Sequence, residues 1–324
     1  MENKKIFWSG NFDWKYGEKG IVIGKKEYAF RKFFPDIYFL TVNGCTREEI
    51  CSHFSENDRD TVIEVVGLML ANGILTDGVC SPDQFFERMY KSYPDKDKYP
   101  DDLIMRNDLI TEFRKSALAR RKPDGNETVI KLAQTEREGS QRRSTRVFDA
   151  GKKISFNVFS ELLDSMRQYR SGENIYYDYP SAGGLYPVDI YIYVKKDRVE
   201  GLEGGIYEYV PSGHSLRCVH CNEVPEKCHF FGNREIFRTS AFSVYFFYNT
   251  DASMPKYHGA GYYYAIIDSG IMLEKLTLDA EKLGLGSCII GVFDIKKAAG
   301  VFETGRSQIY LHCMEFGIPA GNEK

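Results

Sequence analysis

Residues Tyr179–Val194 read YPSAGGLYPVDIYIYV. Pro180 and Pro187 bracket a run of small residues, Ser181, Ala182, Gly183 and Gly184, and an apolar stretch follows at once. Proline fixes φ and removes a donor, while glycine admits backbone conformations closed to other residues, so the segment ahead of Val188 is a kinked turn. Val188–Val194 is then a buried strand. A turn before a strand is ordinarily a loop and nothing more. The second reading is that a flat group lies close against the backbone where side-chain bulk has been removed.

The elements around this strand define an α+β class. Phe156–Tyr169 is an amphipathic helix with Phe159, Leu162, Leu163 and Met166 at i, i+3, i+4 and i+7, and Ser155 can cap it. Ala241–Tyr248 (AFSVYFFY) is a second apolar strand, Tyr263–Leu283 a long, mostly buried helix stopped by Gly284, and Ile309–Phe316 a last strand. Long helices around a small apolar sheet make an α+β domain over 141–324.

The first 78 residues form a separate pattern. Ile21–Ile23 is a short strand, Thr46–Phe54 a helix opened by a Thr46/Glu49 capping box, Asp58–Asn72 a second helix stopped by Gly73, and Ile74 and Leu75 start another strand. This order is winged-helix-like and resembles the small peptide-binding domains of ribosomal-peptide modification enzymes. Its recognition helix has no basic face, against DNA binding. Residues 79–140 are a helical and linker segment, with helices expected at Gln84–Tyr93 and Asn107–Arg121 and a polar linker from Arg120 to Gln141.

The chain has 324 residues, 43% of them apolar, and a net charge of −3, which makes no electrostatic case for nucleic acid or an acidic membrane. No apolar run approaches the roughly 20 residues of a membrane span. The polar, Gly-broken N-terminus is no signal peptide, and the eight cysteines are scattered, as expected of free thiols in the cytoplasm.

Three stretches carry chemistry. Arg142, Arg143, Ser144, Thr145 and Arg146 set guanidinium forks beside hydroxyls, a donor set suited to phosphate, although a solvated basic turn reads the same way. Ser181–Gly184 is the bare turn. Gly284–Gly291 (GLGSCIIG) joins the long helix to a strand-like turn. Each is weak alone.

Their order and spacing resemble the nitroreductase-like flavoproteins. RRSTRVFD is similar to that superfamily's flavin-phosphate motif, PSAGGLYP stands in place of its PS–x–x–N–x–Q–P–W turn, and GLGSCIIGVFD is similar to its LG–x–x–x–x–P–x–x–GF segment. The SAGGLYP form resembles the SagB-type azoline dehydrogenases. The stretch RVEGLEGGIYEYVPSGHSL resembles oxidase domains of nonribosomal peptide synthetases more closely still. The resemblance covers roughly Gln141–Gly321 and implies FMN held in a homodimer interface. It implies that Arg142, Arg143, Ser144 and Arg146 hold the phosphate and ribityl chain. Pro180, Ser181, Ala182, Gly183 and Gly184, from the same or the partner subunit, and Ile289, Ile290 and Gly291 would line the ring.

Lys256-Tyr257 precedes a helix beginning YYYAIIDSG, where the azoline dehydrogenases carry a Lys-Tyr pair before YRYALL-[DE]-AG. The resemblance makes Lys256 the base, desolvated beside the flavin, with Tyr257 sharing or orienting it. Family members often carry Arg where Ala260 and Tyr263 stand here. The implied reaction is oxidation of a thiazoline or oxazoline to the azole by base abstraction of a ring proton and hydride transfer to flavin N5, with dioxygen as the expected reoxidant. A carrier-tethered nonribosomal intermediate is the first substrate expected, docked by the N-terminal domain. The alternatives are a ribosomal precursor peptide, an NAD(P)H-dependent nitroreductase reaction, and a flavin-free partner-binding scaffold.

The remaining signals are discounted. Cys218-x-x-Cys221 with Cys228 and His229 has zinc-ligand spacing but no second CxxC, so no metal is expected. Cys288 reads as a small buried hydrophobe, His258 as a second candidate for the base or a surface-turn residue, and Asp268 as a cap or pair within the long helix. The chain ends soon after Gly321, without the basic tail of some nitroreductases, and Arg306 is the residue that would compensate.

Overall fold

The computed structural model describes residues 4–9, 12–78, 100, 103–119, 129–130, 132–133, 142–298, 300–305 and 307–321. The helix expected at Gln84–Tyr93, most of the linker, Cys80 and Arg306 lie outside the described residues. The chain divides into two compact units, residues 1–139 and 140–324.

The first unit begins with β1 (Lys5–Trp8), followed by the antiparallel meander β2 (Trp14–Tyr16), β3 (Ile21–Ile23) and β4 (Lys26–Tyr28). After α1 (Phe34–Val42) come β5 (Cys45–Thr46), α2 (Arg47–His53), α3 (Arg59–Ala71) and β6 (Leu75–Thr76). The capping box forms at α2: Thr46 N donates to Glu49 Oε2 at 2.7 Å and Glu49 N to Thr46 Oγ1 at 3.1 Å. Gly73, in the left-handed region at φ 68°, ends α3. The two expected helices are α2 and α3, and the expected last strand is β6; the expected first strand, Ile21–Ile23, instead belongs to the meander, with α1 following it, and the strands that flank the helices are β5 and β6. The strand between them in the sheet is β1, from the start of the unit, in the order β5-β1-β6. Phe34, Ile37, Ile50, Val62 and Met69 are fully buried and make its core. Helix α4 (Asn107–Ala119) completes the described part.

The second unit is built on one antiparallel sheet of six strands in the order β11-β10-β9-β12-β14-β13. These are β9 (Val188–Val194), β10 (Gly205–Val210), β11 (Ser215–His220), β12 (Phe242–Asn249), β13 (Gly286–Ile290) and β14 (Gln308–Gly317). The helices are α5 (Phe156–Asp164), α6 (Arg234–Thr239), α7 (Thr250–Tyr257) and α8 (Ala260–Lys282). Ile190, Ile192 and Val194 of β9 face the core formed with Met272, Leu273 and Leu276 of α8 and Phe159 and Leu162 of α5. Tyr191 and Tyr193 face a second core with Phe237, Tyr245, Phe247 and Phe302. Cover on both faces explains why β9 and β12 read as nearly unbroken apolar runs. Each large side chain so buried contributes about 1.5–3 kcal/mol.

Two expectations are corrected. Helix α5 stops at Asp164 rather than Tyr169, because Gln168–Ser171 (β7) pairs with Asn174–Tyr177 (β8) in a hairpin turning at Gly172, φ 62°. Met166 is still fully buried past the helix end. The segment of β10 and β11 and the strand β13 show no clear period in sequence, yet they pair as strands.

Candidate active site

The turn ahead of β9 is held by a residue expected to serve its own helix. Asp268, on the inner face of α8 and 3% exposed, accepts from Ser181 Oγ at 2.6 Å and from the Ala182 amide at 3.3 Å. Burial pushes its carboxyl up, and these two bonds pull it back. Ser181 Oγ also accepts from Tyr186 N at 3.0 Å, and Gly184 N donates to Ser181 O at 3.0 Å. Gly183 and Gly184 sit at φ 65° and 66°, the conformation that requires glycine. Sequence reasoning missed this role for Asp268. A carboxylate among the inward-facing positions of an apolar helix was the available signal, since such a charge is buried only with partners.

Lys256 and Tyr257 end α7 and converge on the turn. A methyl group placed on Gly183 would run into the Tyr257 hydroxyl and come within 2.8 Å of Lys256 Nζ. Lys256 Nζ stands 4.9 Å from the centre of the Tyr257 ring, and that ring packs edge-on against Tyr264 at 5.2 Å. Lys256 is exposed within the single chain, so the expected desolvation is not met there. Asn249 accepts from Asp251 N at the start of α7 and donates to Asp189 at 3.3 Å. Asp189 also accepts from Gln308 at 2.6 Å, tying β9, β12 and β14 together at the start of α7. His258 is exposed, in the turn to α8 at φ 51°.

The arginine stretch meets the glycines after α8. Thr145 N donates to Ser287 O at 2.9 Å, and the Thr145 side chain fills the place of a Cβ on Gly286. Asp149 N donates to Ile318 O at 2.8 Å, which fixes the stretch along the ends of β13 and β14. Arg142, Arg143 and Arg146 are exposed and Ser144 is half-buried. Arg142 and Arg146 make no ion pair among the described residues. Ile289 is 41% exposed, whereas the Ile290 side chain is 1% exposed in the core, so only its backbone is free to line a site. Gly291 is exposed.

Strand polarity separates these two groups. Tyr248 pairs with Val188 and Ile309, which puts the turn and the Lys256 helix at one end of the sheet. Phe242 pairs with Val194 and Phe316, and Phe316 with Ser287, which puts the arginine stretch at the other. Strand β12 covers that span with eight residues, roughly 24 Å. A cleft of about 640 Å³ lined by Lys153, Lys196, Glu203, Cys221 and Glu223 also lies away from the turn and holds none of the expected site residues.

The cysteine-histidine stretch does not converge. Cys218 and Cys221 are exposed, Cys228 and His229 are buried, and no group of three or more His, Cys, Asp or Glu among the described residues could hold a metal ion. The His229 ring lies between Phe237 and Phe293 at 4.2 and 5.0 Å, with neither nitrogen bonded. Burial therefore pulls its pKa from 6.5 down to about 4. A buried neutral imidazole costs stability as pH falls from 6.5 toward 4, because the unfolded chain takes up the proton first. At about 1.4 kcal/mol for each pH unit between the two values, the loss reaches on the order of 3 kcal/mol. His229→Phe should thus flatten the stability profile in that window, read by urea unfolding at pH 7 and pH 4.5. An unchanged slope would refute this.

The Nitroreductase family profile matches residues 140–317, more than half of the chain. The chain belongs to the nitroreductase family. Membership places it among the flavin-dependent oxidoreductases. This nitroreductase-family chain is 31% identical over 115 residues to MJ1384 of Methanocaldococcus jannaschii, itself named as a nitroreductase, covering 35% of the chain and 57% of MJ1384. It is 24% identical over 166 residues to the microcin B17-processing protein McbC of Escherichia coli, covering 50% of the chain and 61% of McbC. It thus spans about three fifths of these curated relatives. One chain of the E. coli microcin synthetase McbBCD complex, solved with truncated pro-MccB17 bound, superposes with a TM-score of 0.57 at 19% identity, over 84% of this chain and 97% of that one. That likeness is one of fold.

The residues fit a flavin mononucleotide. Arg142 and Arg146 are open cations beside the Ser144 hydroxyl, the donor set a phosphate takes. Nothing within 4 Å would meet a Cβ on Gly184 or Gly291, so a flat ring can approach the backbone at both. Among the described residues no helix is long and apolar enough to cross a membrane.

Proposed function

We propose that this chain oxidises a thiazoline or oxazoline ring in a peptide to the aromatic azole, with FMN bound between two copies of the chain. The observation that carries the reading is the convergence of Lys256 Nζ and Tyr257 Oη on the backbone of Gly183. Arg142, Arg143, Ser144 and Arg146 would hold the phosphate and ribityl chain. Pro180–Gly184, Ile289, Gly291 and the backbone of Ile290 would line the ring. The homodimer is supported by strand polarity, since two sheet ends roughly 24 Å apart are too distant for one flavin to reach from phosphate to ring. It is also supported by an exposed stripe on α8 that includes Tyr263, Ile267 and Leu278, 62%, 43% and 43% exposed. A second copy over this face would also desolvate Lys256.

The substrate loses a proton and a hydride equivalent. The ring C–H beside the exocyclic carbonyl is acidified, and Lys256 takes that proton while Tyr257 orients it. When bound, FMN supplies the two-electron acceptor for the hydride equivalent from the adjacent ring carbon, with dioxygen as terminal oxidant. Aromatisation makes the step downhill.

A ribosomal precursor peptide as substrate is supported by the likeness to McbC and to a chain of a complex holding truncated pro-MccB17. The stretch Arg198–Leu216, similar to oxidase domains of nonribosomal synthetases, favours a carrier-tethered substrate as the second reading. In either case the winged-helix-like unit, residues 1–78, would dock the peptide or carrier, and residues 79–140 would connect it to the oxidase domain from 141. The test is to load the protein with FMN and offer a thiazoline-bearing precursor peptide and a small free thiazoline under air. Loss of two hydrogens is expected for both, with the precursor's leader segment competing only against the peptide. Bleaching of the flavin by NADPH with no azole formed would favour the nitroreductase reading, and failure to retain flavin the scaffold reading.

Arg146→Ala is expected to weaken FMN binding by about ten- to a hundredfold, the worth of one charge-assisted hydrogen bond. Fluorescence quenching on titration of FMN reads it. Unchanged affinity would remove Arg146 from the phosphate site.

A further inference from the structure

We infer that Asp268 is a positioning residue for the Lys256–Tyr257 pair, acting through the turn those side chains lean on. The inference rests on the proposed azoline oxidation for what is being positioned, and on hydrogen-bond geometry for how. Asp268 stands on the sheet-facing side of α8, 3% exposed, where an unbonded carboxylate would be strongly disfavoured. Its two oxygens both go to the turn, Oδ2 to the Ser181 hydroxyl at 2.6 Å and Oδ1 to the Ala182 amide at 3.3 Å. The Ser181 hydroxyl, having donated to Asp268, accepts from Tyr186 N at 3.0 Å. One carboxylate thereby closes the turn from Ser181 to Tyr186.

That turn needs closing. Gly183, Gly184 and Tyr186 all lie in the left-handed region, at φ 65°, 66° and 47°. For a tyrosine this conformation is unfavourable and persists only where surrounding bonds impose it. Gly183 then presents its bare Cα to Lys256 Nζ and Tyr257 Oη, and no side chain could stand between them. If the turn relaxes, the surface that sets the place of the amine and the phenol moves with it.

Asp268→Asn keeps the shape but replaces the charged acceptor with a neutral amide, whose N–H₂ can meet the Ser181 hydroxyl only if that hydroxyl turns from donor to acceptor, so the charge-assisted bonds that close the turn are weakened. In the FMN-loaded protein kcat should fall about a hundredfold, the cost of a small misplacement of a catalytic group. KM for the thiazoline peptide should stay within about threefold, because the unit proposed to dock the peptide, residues 1–78, is not altered. A second readout needs no turnover: the rate of acetylation of Lys256 by acetic anhydride, followed by mass spectrometry against the exposed Lys15, should change as the amine leaves its place. Ser181→Ala removes the same bond from the other side, should shift both readouts the same way, and decides the matter if Asp268→Asn does not fold. Wild-type kcat together with wild-type Lys256 acetylation would overturn the inference, even if the Ala182 amide exchanged faster. If the wild-type protein holds flavin but oxidises no azoline, the proposed function fails, and the acetylation readout alone decides the role of Asp268.

Discussion

Lys256→Ala is expected to slow azoline oxidation by about a hundred- to ten-thousandfold while FMN stays bound, the range that positioned proton transfer contributes. Lys256 is at the C-terminal end of α7, a helix whose start is pinned by Asn249 and whose last residue, Tyr257, is braced against Tyr264. Its amine is therefore held over the turn by a short rigid element, and truncation removes the proton acceptor without disturbing the sheet. The arginine stretch at the other end of the sheet is untouched, so cofactor affinity should not follow. Tyr257→Phe removes only the hydroxyl and should cost less. Single-turnover bleaching of the bound flavin by a thiazoline peptide separates the chemical step from binding. A variant that bleaches at the wild-type rate would reassign the base, with His258 next in line.

The largest stability effect is expected at Lys195. Glu315 is fully buried, its Oε2 accepting from Ser240 at 2.5 Å and Ser243 at 2.7 Å, and its Oε1 has no partner. Lys195 Nζ stands 3.9 Å from Glu315 Oε2 and donates to the Phe237 and Ser240 carbonyls. Burial pulls the lysine down to about 8 and pushes the glutamate up, while the attraction between the two opposes both shifts. Lys195→Met leaves Glu315 as an uncompensated buried charge, which costs about 3–5 kcal/mol at neutral pH. Without its counter-ion the Glu315 carboxyl rises further. A raised folded-state value means stability is retained in acid and lost as pH climbs from the ordinary glutamate value of 4.5 through the raised one. The gap between variant and wild type should therefore be wide at pH 8 and narrow at pH 5 in guanidinium unfolding. A gap of equal size at both would mean that Glu315 is neutral in the native protein.

Local chemistry made much of the nitroreductase-family domain legible. Val188–Val194 was read at its observed bounds, because β-branched and aromatic residues between a proline turn and a charged end allow little else. The Thr46/Glu49 box and the stop at Gly73 are also events of a few residues, and the structure shows both. The hairpin Gln168–Tyr177 escaped, because an apolar helical period ran on through Met166 while the pairing that overrides it lies downstream. Strand β13 escaped because its turn-rich residues become a strand only when β14 offers its edge.

The sequence by itself determined which residue types are gathered for chemistry: bare backbone at Ser181–Gly184, guanidinium forks at Arg142–Arg146, and an amine beside a phenol at Lys256-Tyr257. Only the tertiary structure decided their grouping. Antiparallel pairing sends the first and third to one end of the sheet and the second to the other, because direction along a strand is set by partners distant in sequence. Only the tertiary structure gave Asp268 its partners, since an inward-facing carboxylate must bond to whatever packing brings to it, and here that is the turn.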